Sequence, residues 1–256
     1  MSKKLIALCI LLICFIGTGA FSLYMFLAES AETEDVGPYI YEELSVPVEE
    51  PVEEDAPFIF SYDAEALLVQ NSDFLGYLAI PDTSINFPIV QGRDNQHYLS
   101  YAFNGSYSVF GCPFLDNRTA PDGDILVIHG HNMGSNRTEM FSSLLSFQDA
   151  AYAAEHDTAY FSLTSFTEGE SAEFRLFAVL NLDVNSDFDY FRSYFDSAED
   201  RAEFLSFLSS RSLYEPDFEP EHRILFLSTC NRAYGEDNRL LLIFGQTDPM
   251  DTSVKS

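Results

Sequence analysis

The sequence predicts a mainly β domain, a closed antiparallel barrel carrying helical insertions. Three observations point there. Short apolar runs recur between turn signals from residue 58 to about 248. One of them, with Phe174, Leu176, Ala178, Leu180 and Leu182, alternates with the period of two that marks a half-buried strand. Few segments carry helical spacing, and many short strands with few helices close most readily into a barrel.

The elements follow in order. Asp63 to Gln70 reads as a short capped helix, and Phe74 to Ile80 as a strand ended by the Pro81-Asp82 turn. Further strands are expected over 87–90, 109–115, 124–129, 174–184, 223–229 and 239–245. Two helices interrupt them. Met140, Phe141, Leu144 and Leu145 form an apolar face after Thr138, and a longer helix starts at Ser197, with Asp200 at a capping-box position and Ala198, Ala202, Leu205 and Leu208 along one side.

The remaining chain has a different character. After Lys3 and Lys4 an uncharged stretch runs from Leu5 to Ala28; as a helix it spans roughly 36 Å, enough for a bilayer core of ~30 Å. It is longer than the core of a cleavable signal, so an uncleaved anchor is expected, with the cleavage-like Ala28-Glu29-Ser30 as the alternative. Positive charge before the span places residues 1–4 in the cytoplasm and the rest outside. Residues 29–57, rich in Glu, Asp and Pro, repel themselves and bury little, and read as an extended tether. The organisation is then a cytoplasmic end (1–4), a transmembrane anchor (5–28), an acidic linker (29–57), one catalytic-sized domain (58–248) and a tail (249–256). A formal charge of −28 with no basic stripe excludes nucleic acid as a partner.

Of four cysteines, Cys9 and Cys14 lie in the expected span, leaving Cys112 and Cys230 outside the cytoplasm. These could form one structural disulfide, the basis of a rival reading as a noncatalytic surface module. Local sequence argues otherwise. Cys112 lies in Phe110-Gly-Cys-Pro-Phe114, a packed setting, whereas Cys230 ends the apolar run Ile224 to Leu227 beside the polar Ser228 and Thr229. The run Ile125-Leu-Val-Ile-His-Gly-His131 ends in histidine, and Arg239 opens the last strand. A thiol, an imidazole and a guanidinium at strand ends suit nucleophilic catalysis on a rigid rim.

These residues resemble the sortases, and class B in particular. Leu227-Ser-Thr-Cys230 matches the end of the sortase signature, with Phe226 where many relatives begin it with Thr. Gly130-His131-Asn132-Met133 with Met140-Phe141 is similar to the family's histidine segment, and Arg239 stands where the family keeps its arginine. The similarity extends through 74–91, Asp94 to Leu99 and Phe114-Leu-Asp-Asn-Arg118, and the helix from Ser197 resembles the class B insertion before the cysteine strand.

The resemblance implies a membrane-anchored cysteine transpeptidase of a Gram-positive-type bacterial surface. It would cleave a C-terminal sorting signal through a thioacyl enzyme and join the new carboxyl end to an amine of a cell-wall precursor. Its partners would be surface proteins carrying that signal, the peptidoglycan precursor and the membrane. Cys230 would be the nucleophile, His131 the acid and base, and Arg239 the oxyanion partner. Spacing alone does not separate His129 from His131; the family usually has Tyr at the former position, which assigns catalysis to His131 and makes His129 a pocket wall. Ser228, Thr229, Asn95 and Leu99 are the other expected substrate contacts, while Asn231 departs from the acid common in relatives. His97, His156 and His222 read as ordinary hydrogen-bonded side chains, and the triplets at Asn104, Asn117 and Asn136 as chance glycosylation-like matches. No metal pattern occurs and no cofactor is expected. A thiol peptidase that releases its product to water is the remaining alternative.

Overall fold

A computed structural model describes residues 60, 62–134, 137–164, 171–185, 188–235 and 237–247. The anchor expected over 5–28, the linker over 29–57 and the tail over 249–256 lie outside these residues. No helix among the described residues is long and apolar enough to cross a membrane.

Eight strands close into a barrel, following helix α1 (Ala64–Gln70). They are β1 (Phe74–Ala79), β2 (Asn86–Val90), β3 (Phe114–Leu115), β4 (Ile125–His129), β5 (Thr158–Leu163), β6 (Ala172–Asp183), β7 (Ile224–Cys230) and β8 (Asn238–Gln246). Round the barrel the order is β1-β2-β3-β4-β7-β8-β6-β5. It is not purely antiparallel, as the sequence had suggested: β2 pairs with β3, and β4 with β7, in parallel. A parallel pair needs a long crossover, and the chain between β4 and β7 provides one through α2 (Ala150–Glu155), β5, β6 and α3 (Ala198–Arg211).

Other departures have local causes. The strand expected over 109–115 shrinks to Phe114–Leu115 because Gly111 has φ 64 and carries the chain away from extended geometry. The segment after Met140 forms a 3₁₀ helix, Phe141–Gln148, followed by the separate α2, whose N-cap Asp149 accepts from Ala151 and Tyr152. Strand β5 is unanticipated by sequence. In α3 Ser197 caps the helix by accepting from Asp200 N–H, but Asp200 accepts in turn from Asp196 N–H at 3.0 Å. The capping box is thus displaced by one residue.

Alternation along the strands divides the apolar residues between two cores. Leu126 and Ile128 of β4, Leu225 and Leu227 of β7, and Leu240 and Leu242 of β8 fill the barrel. Their neighbours Ile125, Val127, Ile224, Phe226, Leu241 and Ile243 point outward, where Phe204, Leu205 and Leu208 of α3 cover them with Tyr190. The insertion helix is therefore the second half of a sandwich over one barrel face. Burying an aliphatic side chain of this kind stabilises by roughly 1.5–3 kcal/mol. Leu208→Ala, which empties a fully buried site, is expected to cost about 2–4 kcal/mol in urea unfolding while preserving the barrel's circular dichroism.

Candidate active site

The outward face of β4, β7 and β8 carries His129, Ser228, Cys230 and Arg239 at its end. Antiparallel register places Cys230 opposite Arg239. The next residue, Asn231, donates its N–H to Asn238 O at 2.9 Å, so the ladder bonds fall at that pair and Cys230–Arg239 is a narrow, non-hydrogen-bonded pair. Side chains in such pairs stand closest, with Cα atoms about 4.5 Å apart. On the other side of β7, His129 is in register with Ser228, and Gly130 N–H donates to Ser228 O at 3.2 Å. The ladder ends there; continued two residues further, the same register would set His131 beside Cys230. Cys230 and His131 are partly exposed, as an open rim requires.

The histidine segment is held by short-range chemistry. Gly130 packs under Phe141, whose ring would lie 2.5 Å from an added Cβ, so only glycine fits. His131 O accepts from Phe141 N–H at 2.9 Å, and Met133 N–H donates to Ser142 Oγ at 2.7 Å. His131 Nε2 lies 2.8 Å from Leu99 O. A carbonyl only accepts, so Nε2 carries a proton and Nδ1 is left as the exchanging nitrogen.

His129 occupies a different environment. Its Nε2 lies 2.8 Å from Oδ2 of Asp116, which is fully buried and also receives Nε and Nη2 of Arg118. Burial by itself raises the Asp116 pKa, but Arg118, His129 and the Arg118 N–H outweigh it and hold the carboxyl far below the usual carboxylate range. The Arg118 guanidinium lies 3.5 Å above the Phe191 ring, and the His129 ring stands between Phe114 and Phe191. Asn95 joins this corner by accepting from Asn117 N–H at 2.8 Å.

The remaining expected contacts divide. Leu99 contributes its carbonyl to His131, as described. Ser228 is on the same face as Cys230, but its Oγ is fully buried and makes no hydrogen bond of good geometry. The Tyr190 phenol lies beside it. Burial pushes that phenol up to about 12, with nearby Asp116 adding to the rise and Ser228, Arg239 and Arg118 opposing it. Thr229 is not brought to this face. It is buried toward the barrel interior, and its hydroxyl donates to Gly130 O at 2.8 Å. Tyr190, Phe191 and Asp116 are neighbours of the site that sequence reasoning did not single out; only Asp116 had a signal, within the matched Phe114 to Arg118 segment.

Cys112 and Cys230 are both free thiols, which removes the disulfide on which the noncatalytic reading depended. Cys112 is buried, and burial pushes its thiol up, away from the reactive thiolate. Among the described residues no cluster of three or more potential ligands could hold a metal ion.

Known proteins resemble this chain. Sortase B of Listeria monocytogenes is 29% identical over 182 residues, 69% of this chain and 70% of that one. Sortase B of Staphylococcus aureus is 25% identical over 183 residues, covering 70% and 72%. The crystal structure of Clostridium perfringens sortase B matches with a TM-score of 0.64 at 27% identity, over 73% of this chain and all of that one. A Staphylococcus aureus sortase B–substrate complex shares the fold, with a TM-score of 0.63 at 24% identity over 72% and 85%. No family model matches.

Two outcomes test this description. Alkylation of the folded protein, mapped by peptide mass spectrometry, should modify Cys230 at least tenfold faster than Cys112, because Cys112 is buried with its thiol pushed up whereas Cys230 is partly exposed. Asp116→Asn should destabilise the protein most at neutral pH. The native carboxyl has a depressed pKa, so its contribution is complete above the unfolded value of about 3.9 and fades as pH falls below it. Melting curves should show the gap between parent and variant narrowing below about pH 4.

Proposed function

We propose, from the premise that this chain belongs to the sortase family, class B, that it is a membrane-anchored transpeptidase in which Cys230, His131 and Arg239 carry the chemistry. The observation that carries the reading is the narrow Cys230–Arg239 pair with the His131 segment in register beside it. Nucleophile and fixed cation are then cross-strand neighbours on β7 and β8, and the proton carrier follows two residues after the end of the adjacent β4, a frame rigid enough to be pre-organised.

The Cys230 thiolate attacks the carbonyl carbon of the scissile peptide bond. Arg239 stabilises the oxygen that becomes negative; a donor at this point in other enzymes contributes about 3–4 kcal/mol. His131 gives the proton on Nδ1 to the departing amine, the C–N bond breaks, and a thioester on Cys230 remains. An incoming amine then attacks the thioester, passes a proton back to His131 and expels the thiolate, so that a new amide replaces the old one. His129, Asn95 and Leu99, with Phe191, form the walls that receive the sorting peptide, and the buried Ser228 and Tyr190 support them from behind rather than by contact. For Thr229, whose hydroxyl is engaged by Gly130, the role is support of the Cys230 strand rather than contact.

The substrates in this reading are surface proteins with a C-terminal sorting signal, and the acceptor is an amine of a peptidoglycan precursor. The span over residues 5–28 holds the enzyme in the cell membrane, Lys3 and Lys4 keep residues 1–4 in the cytoplasm with the catalytic domain outside, and the acidic segment over 29–57 tethers that domain to a Gram-positive-type surface.

The experiment is cleavage of candidate sorting peptides with and without an added amine. Cys230→Ala is expected to abolish cleavage, and His131→Ala to reduce turnover by about 10²–10⁴-fold. Arg239→Lys should slow thioester formation by about 10²-fold with the fold intact, because a flexible ammonium does not reproduce a planar fork of donors. Amide product that forms only with amine present marks a transpeptidase; release to water at the same rate with and without amine would make it a peptidase. Near-normal acylation in a folded Arg239→Lys protein would remove the oxyanion role.

A further inference from the structure

The parallel β4–β7 ladder has a predictable next bond. Gly130 N–H donates to Ser228 O, and evenly spaced parallel pairing would have Asn132 N–H donate to Cys230 O two residues later. The chain does not continue in that way. After His131 it turns toward the Phe141 helix, where Asn132 and Met140 form a β-bridge and His131 O accepts from Phe141 N–H. The Cys230 carbonyl is nevertheless satisfied: the Asn132 side-chain amide donates to it through Nδ2 at 2.7 Å. Asn132 Oδ1 accepts in turn from Gly134 N–H at 2.8 Å, which fixes the amide and assigns nitrogen to the Cys230 side.

We propose that Asn132 is a positioning residue for the Cys230–His131 pair, its side chain standing in for the missing rung of the ladder. The substitution matters because the segment meets two opposed demands. It must leave the sheet after His131, so that the imidazole can reach Leu99 O, and it must stay in register with Cys230 while doing so. A backbone rung at Asn132 would hold the strand in the sheet. A side-chain rung keeps the register and frees the backbone. With Thr229 Oγ1 on Gly130 O, two side-chain bonds cross-link the strand ends around the histidine.

The inference rests on the proposed roles of Cys230 and His131, and the test separates the two. Asn132→Asp keeps the shape but sets a carboxylate oxygen against the Cys230 carbonyl; Asn132→Ala removes the rung without a charge. For each, the measurements are the pH profile of Cys230 alkylation by iodoacetamide, kcat and KM for peptide cleavage, and the melting temperature. The expected result for both is an alkylation profile displaced toward that of His131→Ala, kcat lowered at least tenfold, KM within about twofold of the parent, and melting within a few degrees. If parent and His131→Ala share one alkylation profile, the proposed catalytic pair is wrong and the inference falls with it. If those two differ while both Asn132 variants follow the parent profile and keep its kcat, Asn132 is not a positioning residue. A kcat loss in Asn132→Ala that tracks its loss of folded protein also overturns the proposal.

Discussion

Everything at the candidate site depends on the register of three adjacent strands. β7 is paired in parallel with β4 and antiparallel with β8, and these two ladders fix which residues stand beside Cys230. A slip of one residue in either would turn a reactive side chain toward the barrel interior, because alternate residues face opposite sides. The interior is filled by Leu225, Leu227, Leu240 and Leu242, and the covered outer face by Phe226, Leu241 and Ile243. Both faces of β7 and β8 are apolar, so no slipped register is tolerable: it would push Arg239 into a packed layer or expose several buried side chains. The hydrophobic cores thus set the geometry of the polar site.

Beyond the strands, a buried carboxylate organises the neighbouring wall. Asp116 lies at the end of β3, is wholly inaccessible, and holds Arg118 and His129. An isolated buried charge would be costly, but four groups oriented toward it make the ionised form the favoured one. Through Arg118 over Phe191 the same carboxylate reaches the segment between β6 and α3. The wall is therefore braced from below.

Much of this was legible in sequence, for identifiable reasons. Strands β4, β6, β7 and β8 carry long apolar runs with clear ends, and the Cys230, His131 and Arg239 segments match family patterns that local composition alone would not single out. Helix α3 announced itself through Ser197 and its apolar side. The parallel pairings were not legible, because a strand's own residues do not name its partner when both its faces are buried. Strand β5 mixes polar and aromatic residues too evenly to stand out, and the 109–115 run looked extended until Gly111 adopted positive φ. Thr229 illustrates a finer limit. Sequence placed it beside the nucleophile, yet strand alternation turns its hydroxyl inward to Gly130, where it serves the backbone. Tyr190 was hidden for the opposite reason, as its approach to Ser228 depends on how the insertion crosses the barrel.

The parallel pairing of β4 with β7 also bears on when the site comes into being. The Thr229–Gly130 bond joins residues 99 apart in sequence, with two strands, two α-helices and the Phe141–Gln148 3₁₀ helix between them. Contacts of such long range carry a large loop-closure cost and form late, once the intervening elements have condensed. β8, which brings Arg239, is the last strand among the described residues. A newly made or partly unfolded molecule therefore lacks the neighbours that the closed barrel sets beside position 230. On the proposed chemistry the site is assembled only with the final closure of the barrel, and the fold withholds the arrangement around Cys230 until its strands are all in place.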